Sequence, residues 1–292
     1  MLVRGMAFRS IAALAVGLAL VVTGATVPVG AGASPLSYVA LGDSYTAGPL
    51  VLPIAAQAPL ECLQSAVNYP HLTAAALGLS LTDRSCSSAT TANMTVAQYP
   101  NQPAQFTALT PSTSVVTIGI GGNDNDLFIT AIAACSAIDV LNVLNRGAPC
   151  QSVFGSMFAN EVNADGPAVG TAFATIHTLS PEAQVFVVGY PDILPLQGNC
   201  YPQLPITTGD VAYLNGVELT LNAMLQREAA ANGATYVDTY SASVGHDACK
   251  AEGTRWIEPL IPGTDAFPIH PNAAGEAYLA RTVEAALRTA GI

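Results

Sequence analysis

Five short runs of near-continuous apolar or β-branched residues recur along the chain, at 37–41, 79–82, 114–120, 184–189 and 234–238. Runs of this length without polar alternation predict strands covered on both faces, as in a parallel sheet between two helical layers. Helical patterns alternate with them at 69–77, 104–109, 169–179, 211–231 and 271–290. That alternation predicts a doubly wound α/β fold. The stretch 126–166 is less regular and reads as an insertion over the carboxyl end of the sheet, where it could shape a substrate groove. The segments 190–208 and 241–268 read as long loops, which in a compact domain are usually functional or tied down.

The N-terminus follows a different pattern. Arg4 and Arg9 precede an uncharged apolar stretch from 11 to 22, and Ala31-Gly32-Ala33 supplies a small-x-small cleavage site. This is the order of a secretory signal peptide, so residues 1–33 are expected to be a leader and 34–292 the working domain. About 12 apolar residues fall short of the roughly 20 needed to span a bilayer. No later segment reads as a membrane span, and an exported, extracellular protein is the expectation.

Charge narrows the partners. The chain carries 20 acidic and 9 basic residues, two of the basic ones in the leader. With no basic cluster, nucleic-acid binding is not expected, because neutralising phosphates needs a concentrated basic surface. All six cysteines, Cys62, Cys86, Cys135, Cys150, Cys200 and Cys249, follow the leader. An even count in an exported chain reads as disulfides. No Cys-x-x-Cys spacing points to zinc, and no metal site is expected. Composition does not choose among the pairings. Sequential pairing is expected, since each bridge would then staple one excursion between core strands.

Candidate chemistry sits at the ends of the predicted elements. The first strand pattern stops on Gly42-Asp43-Ser44-Tyr45, which puts a serine hydroxyl at the carboxyl end of a buried strand. The third stops on Gly121-Gly122-Asn123-Asp124, whose Asn123 amide could donate to a developing oxyanion or merely close an Asx-turn. Of four histidines, His270 stands out, because Pro268 and Pro271 stiffen its loop just before the last helical pattern. A neutral histidine there could act as general base for the serine, with activity rising near its ordinary pKa of about 6.5. Serine, asparagine and histidine so placed point to a serine esterase. Apolar residues 49–54 after the serine read equally as an acyl groove or as core.

Together these blocks resemble the SGNH (GDSL-type) hydrolase family, in family order, from about residue 36 to 290. The runs Asn68-Tyr69-Pro70, Ser85-Cys86-Ser87 and Arg255-Trp256-Ile257-Glu258-Pro259 are similar to those of its secreted actinobacterial lipases and esterases, which carry three disulfides. The resemblance implies a flavodoxin-like three-layer α/β/α sandwich with a five-stranded parallel sheet. It implies Ser44 as nucleophile and His270 as base. The oxyanion hole would use the backbone N–H groups of Ser44 and Ser88 with the Asn123 amide. A small-molecule or lipid ester is the implied substrate, with no cofactor, and a monomer is expected. The α/β-hydrolase alternative fails, because no serine has glycines two residues to each side.

Two positions depart from the family pattern. Ser88 stands where the family has glycine, so a side chain intrudes on the hole. The acid normally found three residues before the histidine is replaced by Phe267. The Phe267 main-chain carbonyl is expected to orient His270, with Asp265 as the alternative. These departures keep open a binding protein on an inactive scaffold, and an acyltransferase is a third reading.

Overall fold

The apolar runs form five parallel strands, β1 (Ser37–Gly42), β2 (Ser80–Asp83), β3 (Val115–Gly119), β4 (Gln184–Val188) and β5 (Thr235–Val237), in the order β2-β1-β3-β4-β5. This is a computed structural model that describes residues 1, 2, 5, 34–261 and 265–292. The chain divides into two units, Met1–Ser34 and Pro35–Ile292. The leader and cleavage site expected within residues 1–33 lie outside the described residues, apart from residues 1, 2 and 5. Among the described residues, the helices are α1 (Ser44–Ala47), α2 (Tyr69–Leu77), α3 (Leu127–Asp139), α4 (Pro149–Phe154), α5 (Met157–Leu179), α6 (Thr208–Ala231) and α7 (Ala273–Thr289).

Alternate strand residues feed two cores. Val39 and Leu41 of β1 pack with Phe173 of α5 and Leu225 of α6, whereas Tyr38 and Ala40 pack with Tyr69 of α2 and Leu279 of α7. The result is the three-layer α/β/α sandwich that the resemblance implied. The central strands β1, β3 and β4 are covered on both faces, which explains why they show no polar alternation, whereas the edge strands β2 and β5 are partly exposed, contrary to the expectation for all five. The chain leaves β1 toward β2 on one side and later returns to β3 on the other. The crevice between the carboxyl ends of β1 and β3 is therefore the topological switch point, where such sheets bind ligands. Gly42 and Gly119 lie side by side there.

Three helix expectations are corrected. Residues 104–109 do not form an α-helix but a single 3-10 turn, Gln105–Ala108. The buried Gln105 side chain stops there to bond Gly42, as described below. The helix expected at 169–179 begins at Met157 and runs through Pro167. Pro167 lacks the N–H needed mid-helix, but close packing on α6 maintains the helix. A Cβ at Gly166 or Gly170 would crowd Arg227 or Glu228 of α6. The stretch 126–166 is mostly helical, containing α3, α4 and the start of α5. Its α3 sequence, Leu-Phe-Ile-Thr-Ala-Ile-Ala-Ala-Cys-Ser-Ala-Ile-Asp, is apolar nearly all round, so it has no amphipathic period to read.

The cysteines pair in sequence order, Cys62–Cys86, Cys135–Cys150 and Cys200–Cys249. The last joins the two long loops, and the second joins α3 to α4. The first fixes the segment after β2, where the Ser87 N–H also donates to the Cys62 carbonyl at 3.1 Å. Its sequence separation is 24 residues. Replacing Cys62 and Cys86 together by alanine is expected to lower the unfolding free energy by about 3.5 kcal/mol, the chain-entropy value for such a loop. Denaturant unfolding of the double variant measures this. A loss below about 1 kcal/mol would mean that the backbone hydrogen bonds alone hold the segment.

Candidate active site

Ser44 begins α1 because of the two residues before it. Gly42 has φ +149°, and a Cβ there would run into Thr46 Oγ1 and the Gly119 carbonyl. Asp43 caps the helix by accepting from the Tyr45 N–H at 2.9 Å. The short helix ends at Gly48 in the left-handed region. At the first helical position the Ser44 N–H has no intrahelical acceptor. The turn is clamped by Gln105, whose side chain accepts from the Gly42 N–H at 2.8 Å and donates to the Gly42 carbonyl at 2.9 Å.

His270 lies 2.7 Å from the serine, Nε2 to Oγ. Its other nitrogen, Nδ1, lies 2.8 Å from the carbonyl oxygen of Pro268. This corrects the expected partner. The Phe267 carbonyl instead accepts the His270 backbone N–H at 3.2 Å, which folds the loop so that Pro268 faces the ring. Asp265 is exposed and does not take Nδ1. A carbonyl only accepts, so Nδ1 carries the proton and Nε2 presents its lone pair to the serine hydroxyl. The ring packs against Tyr45, Phe128 and Phe267, at centroid distances of 4.9, 5.7 and 5.4 Å. The Tyr45 hydroxyl donates to the Ile269 carbonyl at 2.6 Å and so ties the Ser44 turn to the histidine loop.

Burial lowers the His270 pKa to about 4, with the Pro268 hydrogen bond raising it only in part. The ordinary value of about 6.5 expected from sequence is corrected accordingly. Desolvation disfavours the imidazolium, and a neutral carbonyl supplies less compensation than a carboxylate would.

The run 121–124 is drawn onto the segment that carries Ser88. Asn123 Nδ2 donates to the Ala89 carbonyl at 3.1 Å, which uses one of its two amide hydrogens. Asp124 accepts from the Thr91 N–H at 2.7 Å and from the Thr91 hydroxyl. Ser88, next to Ala89, holds φ +62° and is exposed. That left-handed conformation costs a side-chain-bearing residue about 1–2 kcal/mol, a physical reason for glycine at this position. Beneath the blocks, the Tyr190 hydroxyl accepts from the Gly122 N–H at 3.0 Å and donates to Asp43. Burial raises the Asp43 pKa to about 7 against the pull of the Tyr190 and Tyr45 hydrogen bonds.

Sequence reading missed Gln105, Tyr190 and Pro268. Gln105 and Tyr190 lie far along the chain in unremarkable surroundings, and only the assembled sheet brings them to the Gly42-Asp43 turn. Pro268 was noted for stiffness, not for its carbonyl. Of the apolar stretch 49–54, Val51 is buried while Leu50 and Leu52 are exposed. The Pro49 carbonyl accepts from the Phe267 N–H at 2.9 Å, so this stretch also braces the histidine loop. Among the described residues, no cluster of three or more His, Cys, Asp or Glu could hold a metal. No described helix is long and apolar enough to cross a membrane.

A serine bonded to a neutral histidine at a sheet switch point is the layout of a serine hydrolase. The family model of the GDSL-like lipase/acylhydrolases matches residues 40–278, and the chain belongs to that family of ester hydrolases. It is 47% identical to Lipase 2 of Streptomyces coelicolor, over 90% of each chain. Among solved structures it is similar to phospholipase A1 from Streptomyces albidoflavus, at 27% identity and a TM-score of 0.70, covering 86% of this chain and 99% of that one. The extracellular lipase of Streptomyces rimosus gives 26% identity and the same TM-score and coverage.

Proposed function

We propose that the protein is an exported serine carboxylic-ester hydrolase that acts through an acyl-enzyme on acyl or lipid esters. The 2.7 Å contact between His270 Nε2 and Ser44 Oγ, with Nδ1 engaged by a carbonyl, carries this reading. Ser44 Oγ attacks the ester carbonyl as Nε2 takes its proton. The oxyanion is held by the backbone N–H groups of Ser44 and Ser88 and by the second hydrogen of Asn123 Nδ2. The imidazolium, steadied through Nδ1 by Pro268, then protonates the leaving alcohol. Water, deprotonated by Nε2, attacks the acyl-enzyme and releases the acid. Export is supported by the leader-like pattern of residues 1–33 and by three disulfides, which persist in oxidising compartments.

The test is hydrolysis of a short and a long p-nitrophenyl ester, paired with labelling by a fluorophosphonate. Hydrolysis, with one phosphonyl adduct mapped to Ser44, is the expected result. Silence on both esters with no adduct would favour the inactive-scaffold reading.

The pH dependence is distinctive. With the His270 pKa near 4, kcat/KM for an uncharged ester is expected to stay level from neutral pH down to about 5.5 and to fall with a midpoint near 4. A limb centred near 6.5 would mean that the imidazolium is far better solvated than this burial implies. The same shift acts on stability. The folded-state pKa lies below the unfolded value, so the contribution of the neutral ring is complete above about 6.5 and is lost as pH falls through about 4. Activity should therefore be read after brief exposure, with recovery at neutral pH as the control.

A further inference from the structure

An apolar cavity of about 60 Å³ lies between α3 and α6, lined by Leu127 and Ile132 on one side and Leu214 and Leu221 on the other. One end is walled by neighbours of the candidate catalytic residues. Gly122, which precedes Asn123, lines it together with Tyr190 and Phe128, whose ring packs edge-on to His270. An acyl group bonded to Ser44, with its carbonyl oxygen at Asn123, thus has an apolar space beside it.

One lining residue does not fit an apolar purpose. Glu218 of α6 is 8% exposed and faces the same cavity. Its Oε2 accepts only a long bond from the Ile193 N–H, at 3.4 Å, and its Oε1 has no hydrogen-bond partner. Docking of the adjacent segment onto α6 does not depend on this carboxyl. Asn222 exchanges bonds of 2.8 and 2.9 Å with the Tyr190 backbone, and Asn215 donates to the Pro195 carbonyl at 2.8 Å. Burial, reinforced by nearby Asp192, raises the Glu218 pKa well above the carboxylate range. In either protonation state its oxygens can accept a hydrogen bond from a hydroxyl. Buried polar atoms left without partners are rare because they are costly.

We propose that this cavity is the acyl pocket and that Glu218 makes it select acyl groups bearing a hydroxyl over plain alkyl groups of equal length. The inference rests on the ester-hydrolase reading above and names the substrate class of that same site. A hydroxylated chain supplies the partner that Glu218 lacks, whereas a plain chain leaves the carboxyl unpaired. A site built around a buried hydrogen-bonding group discriminates through that unpaired state. Glu218 would be a specificity-determining residue, remote from the bonds that form and break.

The test compares wild type, Glu218→Gln and Glu218→Leu on methyl esters of four-, six- and eight-carbon acids, each plain and with a terminal hydroxyl. Rates are expressed per fluorophosphonate-reactive Ser44, so that misfolded protein is not counted. Wild type is expected to prefer the hydroxylated ester by about tenfold in kcat/KM at one chain length at least, the worth of one net hydrogen bond. Glu218→Gln should retain most of that ratio, and Glu218→Leu should abolish it by raising kcat/KM for the plain ester. A purely structural carboxyl would lower both rates together and leave the ratio unchanged, which would overturn the proposal. Val217→Phe, which narrows the cavity without altering the carboxyl, should depress six- and eight-carbon esters more than four-carbon esters. An unaltered chain-length profile would overturn the pocket assignment. Failure of wild type on every ester, with no phosphonate adduct at Ser44, would instead sink the hydrolase reading and the pocket with it.

Discussion

Ser44→Ala is expected to lower kcat for ester hydrolysis by about 10⁶-fold, the loss seen when a serine hydrolase loses its nucleophile. The change removes one oxygen. It leaves the Asp43 cap, the Gln105 clamp on Gly42 and the His270–Pro268 hydrogen bond in place. The fold should therefore persist, with a melting temperature within a few degrees of wild type. His270 Nε2 would lose its donor but could still deprotonate a water. Some rate above the uncatalysed reaction should survive through that water and the oxyanion donors. Single-turnover assays on a p-nitrophenyl ester, with calorimetry on the same preparation, provide the measurement. A loss of less than about 10³ would be too small for a nucleophile and would reassign Ser44 to substrate positioning.

Asn123→Ala is expected to reduce kcat by about 10²–10³ with little change in KM, as for the loss of one oxyanion donor. The ground-state carbonyl gains little from this amide, so the loss appears as the oxyanion forms. Asn123 also donates to Ala89, so its removal loosens a contact with the segment that carries Ser88. The two hydrogen bonds from Thr91 to Asp124 still join those blocks, which limits the structural damage. Thermal unfolding separates the two effects. A kcat loss below tenfold in a protein of unchanged stability would take Asn123 out of the hole.

The histidine loop shows where local reading stops. Pro268, Pro271 and the helix pattern after them mark His270 from sequence, yet the partner of its ring was expected one residue too early. The choice between the Phe267 and Pro268 carbonyls depends on the turn made when the His270 N–H bonds to Phe267 and the Phe267 N–H bonds to Pro49. Neither bond leaves a periodic trace. The apolar helix α3 is a second case. Surrounded by core, it needs no polar face, so its sequence lacks the repeat by which helices are found.

What the sequence by itself determined is what adjacent residues decide among themselves. It set the five strands, the glycine-dependent turn that places Ser44 at a strand's carboxyl end, the asparagine block ending the third strand and the even complement of cysteines. Each is a matter of period, turn chemistry or count, legible within a few positions. Only the tertiary structure decided what residues far apart do together. It brought His270 within 2.7 Å of Ser44 across 226 positions, and Gln105 onto Gly42 across 63. It buried the imidazole deeply enough to lower its pKa to about 4, and it left Glu218 facing an apolar cavity. Burial, desolvation and long-range hydrogen bonding depend on the environment that the whole chain builds, and no local pattern encodes them.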